Sequence, residues 1–327
     1  MSPSRTVAGL VGAAVLAACG QLPWAGGGAD APGATVVVEV DVQAFSHHKL
    51  EERAEAMAEQ LRQASPPIRS SGHGVLGDAA RIRPMNADER TRARALLESA
   101  PDVDTMVLSE TEDGFLEARY RSAFEPTLAR QAAEQTVEPL LRRVQGLSRY
   151  ATVEVRGDND LVIHTPGMAD PARITRLLAP GRLTFHLVKG ANGDGLPTGA
   201  LLAQPYPGMA DRPEIVAQRP SLTGDDIASA APATDPQTGD YVVSFRLDGA
   251  GARALCRLTR DHVGDRFAIL LDGQVVTAPR INEPICGGSG QISGNFTAQS
   301  ANELVLFLGA GALPAPLRVV EESAPAG

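Results

Sequence analysis

The tetrapeptide Ser46-His47-His48-Lys49 has the S-x-x-K spacing that places a lysine base beside a nucleophilic serine. Enzymes that use this pair carry further S-D-N and K-T-G motifs, and neither motif follows in this chain. Ser46 is instead positioned to cap a helix that runs to about residue 64. The two histidines would face different sides of that helix, which disfavours a shared metal ion. The pattern therefore favours a helix start over a catalytic site.

A cluster of four glycines, Gly287, Gly288, Gly290 and Gly294, is a second candidate site. Phosphate-binding loops need the GxxxxGK[ST] or GxGxxG spacing, which these glycines do not have. The cluster favours a tight turn with positive φ that leads into a strand at a sheet edge. The pair Asp225-Asp226 likewise favours the cap of a short helix over an acid/base pair. No cofactor, metal ion or catalytic residue is expected from these patterns.

The first residues are typical of a bacterial export signal. Arg5 provides a positive start, residues 7–16 are apolar, and Leu16-Ala17-Ala18-Cys19 is similar to a lipobox, in which the cysteine is lipidated after cleavage before it. We predict a signal peptide over 1–18, a lipid on Cys19 and a Gly/Ala/Pro-rich tether over 19–33. The alternative is an ordinary signal peptide that contains a cysteine.

Two further cysteines, Cys256 and Cys286, form an even pair in an exported chain. Exported proteins meet an oxidising compartment, so a disulfide between them is one expectation and two free thiols are the other. The sequence does not provide the geometry that would decide between these states. Neither cysteine belongs to a CxxC pair, so zinc and thioredoxin-like chemistry are not supported.

Composition excludes several classes of protein. The chain has 327 residues, of which 43% are hydrophobic and 21% charged, and these values are typical of a folded globular protein. Its net charge of −9 disfavours sequence-independent binding to nucleic acid. No segment beyond the signal reaches the 18 or so apolar residues that a membrane-spanning helix needs. We therefore expect a protein attached to a membrane surface by its lipid.

The elements that must position these residues follow from hydrophobic periodicity and from turn and cap residues. Apolar alternation predicts strands in both halves of the chain, at 36–42, 105–110, 115–121, 151–156, 160–165, 182–188, 241–247, 267–271, 274–278, 291–296 and 317–320. Helical spacing and caps predict helices at 46–64, from Asn86 with Glu89 completing a capping box, at 124–145, from Asp170-Pro171, at 250–262 and at 298–308. Strands and helices alternate without a regular βαβ repeat, which favours an α+β fold with antiparallel sheets.

Several segments of the second half resemble the SecD family in the order in which that family has them. These segments are Pro166-Gly167, Asp170 to Arg173, Leu183 to Phe185, Leu222 to Ile227, Val243 to Phe245, Gly251 to Arg253, Asp272 to Pro279, Asn282 to Ile285, Gly287 to Phe296 and Gly309 to Leu317. SecD is a subunit of the bacterial protein-export translocase. The resemblance is close over about 150–320 and weaker over 34–150.

The resemblance implies a ferredoxin-like base with mixed and antiparallel sheets, together with an α+β head subdomain, as in the first periplasmic domain of SecD. We expect the base at 34–189, a linker at 190–220, the head at 221–312, a closing strand back to the base at 313–322 and a tail at 323–327. Members of the family carry a transmembrane helix before this domain and a membrane bundle after it. A lipobox precedes it here, so we expect a truncated homologue without proton coupling of its own.

The function that the resemblance implies is export assistance on the outer side of the cytoplasmic membrane. Partners would be Sec translocase components and unfolded exported polypeptides, and not nucleic acid. Strand edges in the head, at 291–296 or 241–247, could add a peptide strand through main-chain hydrogen bonds. The residues expected to contact peptide are Gly287, Gly288, Gly290, Gln291, Ile292, Gly294, Asn295 and Phe296. The alternative is a structural lipoprotein of the cell envelope that reuses the fold. In both cases we expect an exported lipoprotein on the periplasmic side, anchored to the cytoplasmic or to the outer membrane.

Overall fold

The computed structural model describes residues 31–190 and 196–324. The signal peptide, Cys19 and most of the tether therefore lie outside the described residues. The strands are β1 (Gly33–Val40), β2 (Ser70–Leu76), β3 (Ala79–Pro84), β4 (Met106–Glu110), β5 (Leu116–Tyr120), β6 (Thr152–Arg156), β7 (Asp160–Pro166), β8 (Leu183–Gly190), β9 (Ala200–Ala203), β10 (Glu214–Ala217), β11 (Leu222–Thr223), β12 (Ile227–Thr234), β13 (Tyr241–Leu247), β14 (Phe267–Leu271), β15 (Gln274–Thr277), β16 (Ser289–Phe296) and β17 (Leu317–Ser323). The α-helices are α1 (Val42–Gln63), α2 (Ala87–Glu98), α3 (Glu125–Gln145), α4 (Ala172–Thr175), α5 (Gly249–Asp261) and α6 (Ala298–Ala310).

The base is an antiparallel sheet in the order β17-β1-β7-β6, with α3 packed against it. Val36 and Val38 of β1 share one hydrophobic core with Leu140 of α3 because alternate residues of a strand point to the same face. β17 pairs with β1, so the chain returns to the base at its end, as the predicted closing strand requires. None of the helices in the described part of the chain is long and apolar enough to cross a membrane.

A second sheet, in the order β2-β3-β5-β4, lies within the region expected to form the base alone. The second half of α1 and the whole of α2 cover it, and Met57 of α1 packs with Ile82 of β3 and Leu116 of β5. This sheet has its own core, separate from the core under α3. The region 34–189 therefore contains two packed units.

The head is built from two further sheets. One has the order β15-β14-β8-β10-β9, with β11 also paired to β8, and the other has the order β12-β13-β16. The first sheet is strongly curved, because Pro205, just after β9, forms a bridge with Val275 of β15 at the other end of the sheet. Small side chains such as Ala268 belong to the core that this sheet encloses. Aromatic rings join the two sheets, because the Phe185 and Phe245 centroids lie 5.9 Å apart. The predicted α+β class with antiparallel sheets is confirmed.

Two predicted boundaries are wrong. The segment 190–220 is not a linker, because β9 and β10 within it pair with each other and β10 pairs with β8. β8 was expected in the base, yet it is a central strand of the head sheet, and its Phe185 lies in the core of the head. Strands of four residues between Gly and Pro residues carry little periodicity, so only their pairing with β8 reveals them.

The first helix starts earlier than its sequence suggests. Asp41 is its N-cap and accepts a hydrogen bond from the Ala44 amide at 2.9 Å, so Ser46 lies within the first turns and caps nothing. Asn86 does cap α2, since its side chain accepts from the Glu89 amide at 2.9 Å. The Glu89 carboxylate does not complete the capping box and instead accepts from Arg69 at 3.0 Å.

Candidate functional site

β16 forms an edge of the head. Its pairing partner among the described residues is β13, and the opposite side of the strand has no paired strand there. Ile292 and Phe296 point into the core of the head, whereas Gln291, Ser293 and Asn295 are exposed. The strand contains no charged residue and no proline, the features that usually protect a sheet edge from pairing. Its register against β13 shifts between Ile292 and Phe296, so it is regular over its first half.

The glycines around β16 have separate structural roles. Gly288 has φ +65°, and a Cβ there would lie 2.8 Å from the Ala252 side chain of α5. A Cβ on Gly290 would lie 2.7 Å from the ring of Phe245 on β13. Gly287 has no such restriction. The predicted tight turn is therefore present, and it lets the chain pass close to α5 before β16 begins.

The second predicted edge is wrong. β13 has β12 on one side and β16 on the other, so both of its edges are already hydrogen-bonded. Alternating hydrophobicity identifies 241–247 as a strand but does not give its place in the sheet, because strand order depends on distant pairings. The open edges of this sheet belong to β16 and to β12.

A cavity of about 350 Å³ with both apolar and polar walls opens at the end of β16. Its walls include Phe296 of β16, Tyr206 and Met209 from the loop after β9, and Phe307 of α6. Asn295, Ser300 and Glu303 place polar groups at the same cavity. Sequence reasoning missed Tyr206 and Met209, because both lie in the segment that was expected to be a linker. A cavity of this kind can accept an apolar side chain of a bound chain.

Cys256 of α5 and Cys286, in the loop before β16, are joined by a disulfide with their Cα atoms 4.4 Å apart. The same loop is held a second time, because the Ile285 amide donates to the Thr259 hydroxyl at 2.8 Å. The glycine turn and the start of β16 are therefore fastened to α5 by one covalent bond and one hydrogen bond.

One buried arginine of α3 connects the base to the head. The Nη1 atom of Arg143 donates to the carbonyl of Leu177 at 3.0 Å and to that of Ala179, and its Nη2 atom donates to Pro180 at 2.7 Å and Gly311 at 2.8 Å. Residues 177–180 lead from the base into the head, and Gly311 lies on the segment that returns. A single side chain thus binds both segments that connect the base with the head, and we call these two segments the crossings.

The surroundings of Arg143 are adapted to this role. Its guanidinium lies 4.7 Å from the centroid of the Phe307 ring, and burial lowers its pKa to about 10, so it stays cationic at neutral pH. A Cβ on Gly181, which has φ +71°, would lie 2.8 Å from Nη2. The nearby carboxylate of Asp272 accepts from the amides of Gly181 and Arg182 at 3.1 and 2.8 Å. The sequence alone does not distinguish this arginine from exposed ones.

A larger cavity, of about 1120 Å³, lies between α1 and the two crossings. His47, His48 and Lys49 line it, and Lys49 pairs with Glu52 at 2.9 Å. Ser46 is half-buried, and no contact in the structure presents Lys49 to it as a base. Ser46 and Lys49 therefore have the S-x-x-K spacing as ordinary residues of α1 and not as a catalytic pair.

The remaining polar candidates also have structural partners. Thr223 is the N-cap of a short helical turn, and the carboxylate of Asp226 accepts from the Thr223 amide at 2.9 Å to complete a capping box. The capping role predicted for the pair therefore belongs to Asp226 alone, and Asp225 lies inside the turn. His186 is buried and its Nδ1 lies 2.7 Å from the Ala217 carbonyl oxygen. Within residues 31–190 and 196–324, no group of His, Cys, Asp and Glu side chains is arranged to hold a metal ion.

Comparison with known proteins agrees with this fold. The family model described as "SecDF, P1 head subdomain" matches residues 202–315, which begins earlier than the predicted head and includes β10. The protein translocase subunit SecD of Acetobacter pasteurianus is 33% identical over 296 residues, which is 89% of this chain and 57% of that protein. SecD of Rhodobacter capsulatus is 37% identical over 194 residues, which is 58% of this chain and 35% of that protein.

One solved structure, entitled "Structure and function of a membrane component SecDF that enhances protein export", is 28% identical, covers 60% of this chain and 94% of its own, and superposes with a TM-score of 0.49. The α+β fold and the matched residues 202–315 together define a protein that contains a SecDF P1 head subdomain. The chain is a homologue of SecD over 89% of its own length. It spans a little over half of the length of the curated relatives it matches, 57% for the Acetobacter protein.

Proposed function

We propose that this protein is a lipid-anchored export accessory that binds translocating or unfolded exported polypeptides on the outer side of the cytoplasmic membrane. Its relatives are named protein translocase subunits, which supports Sec translocase components and exported chains as its partners. In this proposal the protein carries no catalytic residue and acts by binding and release.

The observation that carries the proposal is the open edge of β16. A strand edge without charges or proline offers main-chain donors and acceptors to an extended peptide. Main-chain pairing tolerates many sequences, which suits a protein that meets many different exported chains. The exposed side chains of Gln291 and Ser293 are small or neutral and leave the approach to the edge open.

The cavity at Phe296 supports the same mode of binding. A strand that pairs with β16 ends beside this cavity, where an apolar side chain would be removed from water against Met209 and Phe307. Unfolded exported chains expose such side chains, whereas most folded proteins bury them. The edge would thus supply affinity for any extended chain, and the cavity a preference for apolar segments.

Site-specific photo-cross-linking in cells tests this proposal. A photoreactive amino acid at Ser293 should trap a secretory precursor during its export, whereas the same group at Gln43, exposed on α1, should trap much less. Equal trapping at both positions, or none at Ser293 under conditions where full-length SecD traps the precursor, contradicts peptide binding at β16. Recovery of envelope-assembly proteins in place of translocase subunits would favour the structural lipoprotein.

The lipid anchor is a separate part of the proposal and rests on the Leu16-Ala17-Ala18-Cys19 motif. Cells that express the full chain should attach radiolabelled palmitate to the wild-type protein and not to the Cys19→Ala variant. Palmitate on both proteins, or on neither, contradicts lipidation at Cys19 and leaves the β16 proposal standing.

A further inference from the structure

The exposed face of α5 carries three arginines. Arg253, Arg257 and Arg260 are separated by four and three residues, so they lie on one side of the helix in consecutive turns. All three are exposed, and the opposite side of the helix buries Leu255 and Thr259 in the head. This arginine stripe extends about 10 Å along the helix axis.

The arginine stripe differs from the basic residues of the base helices. Arg94 of α2 pairs with Glu98 at 2.8 Å, and Arg130 and Arg142 of α3 pair with Glu134 and Glu138 at 3.0 Å each. Arg92, which has no carboxylate partner, donates to the Pro66 carbonyl instead.

No carboxylate in the described part of the chain comes within salt-bridge distance of the stripe, and its one polar contact is from Arg260 to the Cys256 sulfur at 3.6 Å. Like charges at these spacings destabilise an isolated helix. Arg260 gains some stabilisation from the carboxyl end of the helix, but Arg253 lies in its first half.

We infer that the arginine stripe binds an acidic polypeptide segment in extended conformation. Arginine forms bidentate hydrogen bonds with carboxylates, and three guanidiniums in a row fit a row of carboxylates. Their Cα atoms are spaced about 6 and about 4.5 Å along the helix, and alternate residues of an extended chain lie about 6.6 Å apart, a difference that long side chains absorb. The disulfide at Cys256 holds this helix in place.

The charges around the stripe favour a narrow polypeptide over an anionic membrane surface. Asp261, Asp265 and Glu283 are exposed near its end, and the whole chain has a net charge of −9. A flat anionic bilayer would meet these carboxylates together with the arginines, and the repulsion would offset the attraction. A single extended chain lies along the stripe and avoids them. This inference goes beyond the proposed peptide binding at β16, because it concerns another element and another ligand chemistry.

Fluorescence anisotropy with the purified mature protein tests the inference. The probe is a dye-labelled peptide of alternating glutamate and serine, and the comparison peptide replaces glutamate with glutamine. We expect the acidic peptide to bind and the neutral one not to bind. The triple variant Arg253→Gln, Arg257→Gln, Arg260→Gln should weaken binding about tenfold, because three exposed ion pairs are lost.

The matched control is the triple variant Arg94→Gln, Arg130→Gln, Arg142→Gln, which removes the same charge from the base helices. It should keep wild-type affinity, and circular dichroism establishes that both triple variants are folded. Equal loss in both variants overturns the inference, since the effect would then be net charge alone. No binding of the acidic peptide by the wild type, or preferential binding to phosphatidylglycerol vesicles, overturns it as well. Cross-linking at Ser293 remains an independent readout of the β16 proposal.

Discussion

The base and the head of this protein differ in how completely their surfaces are paired. In the base, exposed arginines of α3 pair with carboxylates one turn away, and the edge strands β6 and β17 carry charged residues, which protect an edge from pairing. In the head, β16 leaves one edge open and α5 leaves its arginines without carboxylate partners in the part of the chain described. Groups that the fold leaves unpaired are available to other molecules. This difference is the reason why we place the proposed contacts in the head.

The connection between the two regions depends on few groups. Arg143 holds both chain crossings, and the disulfide holds the loop before β16 to α5. If this comparison is correct, substitutions at these holding groups reduce stability, whereas substitutions at the unpaired groups of the head reduce binding and leave stability nearly unchanged.

The largest effect is expected at Arg143. Arg143→Met keeps much of the side-chain volume but leaves one buried and three half-buried carbonyl groups without their donor, so the free energy of unfolding should fall by about 3–5 kcal/mol. Urea denaturation measures this change. The neighbouring Arg142→Gln, which loses an exposed pair, should cost less than about 1 kcal/mol. A comparable loss in the two variants contradicts the role of Arg143.

A smaller loss is expected from the disulfide. The double variant Cys256→Ser, Cys286→Ser should lower the free energy of unfolding by about 3 kcal/mol, because the bond closes a loop across a sequence separation of 30 residues. Urea denaturation with and without a reductant measures it. Reductant should destabilise the wild type and leave the double variant unchanged. A wild type that is insensitive to reductant shows that the bond does not stabilise the head.

Substitutions at the edge of β16 are expected to weaken peptide binding and to leave the stability of the protein unchanged. Gln291→Lys with Ser293→Lys places the charges that protect natural edges, and affinity for a permanently unfolded protein whose cysteines carry neutral carboxamidomethyl groups should fall about tenfold. Calorimetry measures the affinity, and thermal denaturation should show little change.

The control for the edge variant adds the same two charges to the base, as Gln43→Lys with Thr127→Lys on exposed positions. Its affinity should match the wild type. If both lysine variants lose affinity equally, the binding surface is not the edge of β16.

The smallest expected effect is on the pH dependence of stability. Burial lowers the pKa of His186 below its usual 6.5. As the pH falls below about 6.5, His186 therefore takes up a proton in the unfolded chain before it does so in the folded protein, and this favours unfolding. The stability present above pH 6.5 is therefore lost as the pH falls. His186→Gln should reduce this loss in denaturation curves between about pH 7 and 5. His47→Gln, at an exposed position of α1, should leave it as in the wild type, and an unchanged loss in His186→Gln contradicts this assignment.

Much of the fold could be predicted because its signals are local. The alternation at 241–247 and the amphipathic spacing at 250–262 identify β13 and α5 within one or two residues. The short strands β9 and β10 could not be found in this way, since four residues carry almost no period. The guanidinium of Arg266 donates two hydrogen bonds to the carboxylate of Glu214 on β10, at 2.7 and 2.8 Å. No local sequence pattern predicts this contact.

The candidate site was predicted in part. The glycines and alternating residues at 287–296 pointed to a turn and an edge strand, and the structure has both. The same reasoning placed an edge at 241–247, which is the central strand of its sheet. The cavity at Tyr206 and Met209 was missed, because the loop that forms it comes from a segment far away in sequence.

The sequence by itself determined the α+β class, the similarity to SecD, most helices and strands, and the two cysteines available for a disulfide. The class and the elements depend on residue types and on spacings within about twenty residues, and the similarity to SecD depends on motifs that occur in the same order over about 150–320. Only the tertiary structure decided which edges stay open, which arginine is buried and which arginines lack partners. Those properties depend on contacts between residues far apart in the chain, as Arg143 and Gly311 illustrate, and such contacts leave no local pattern.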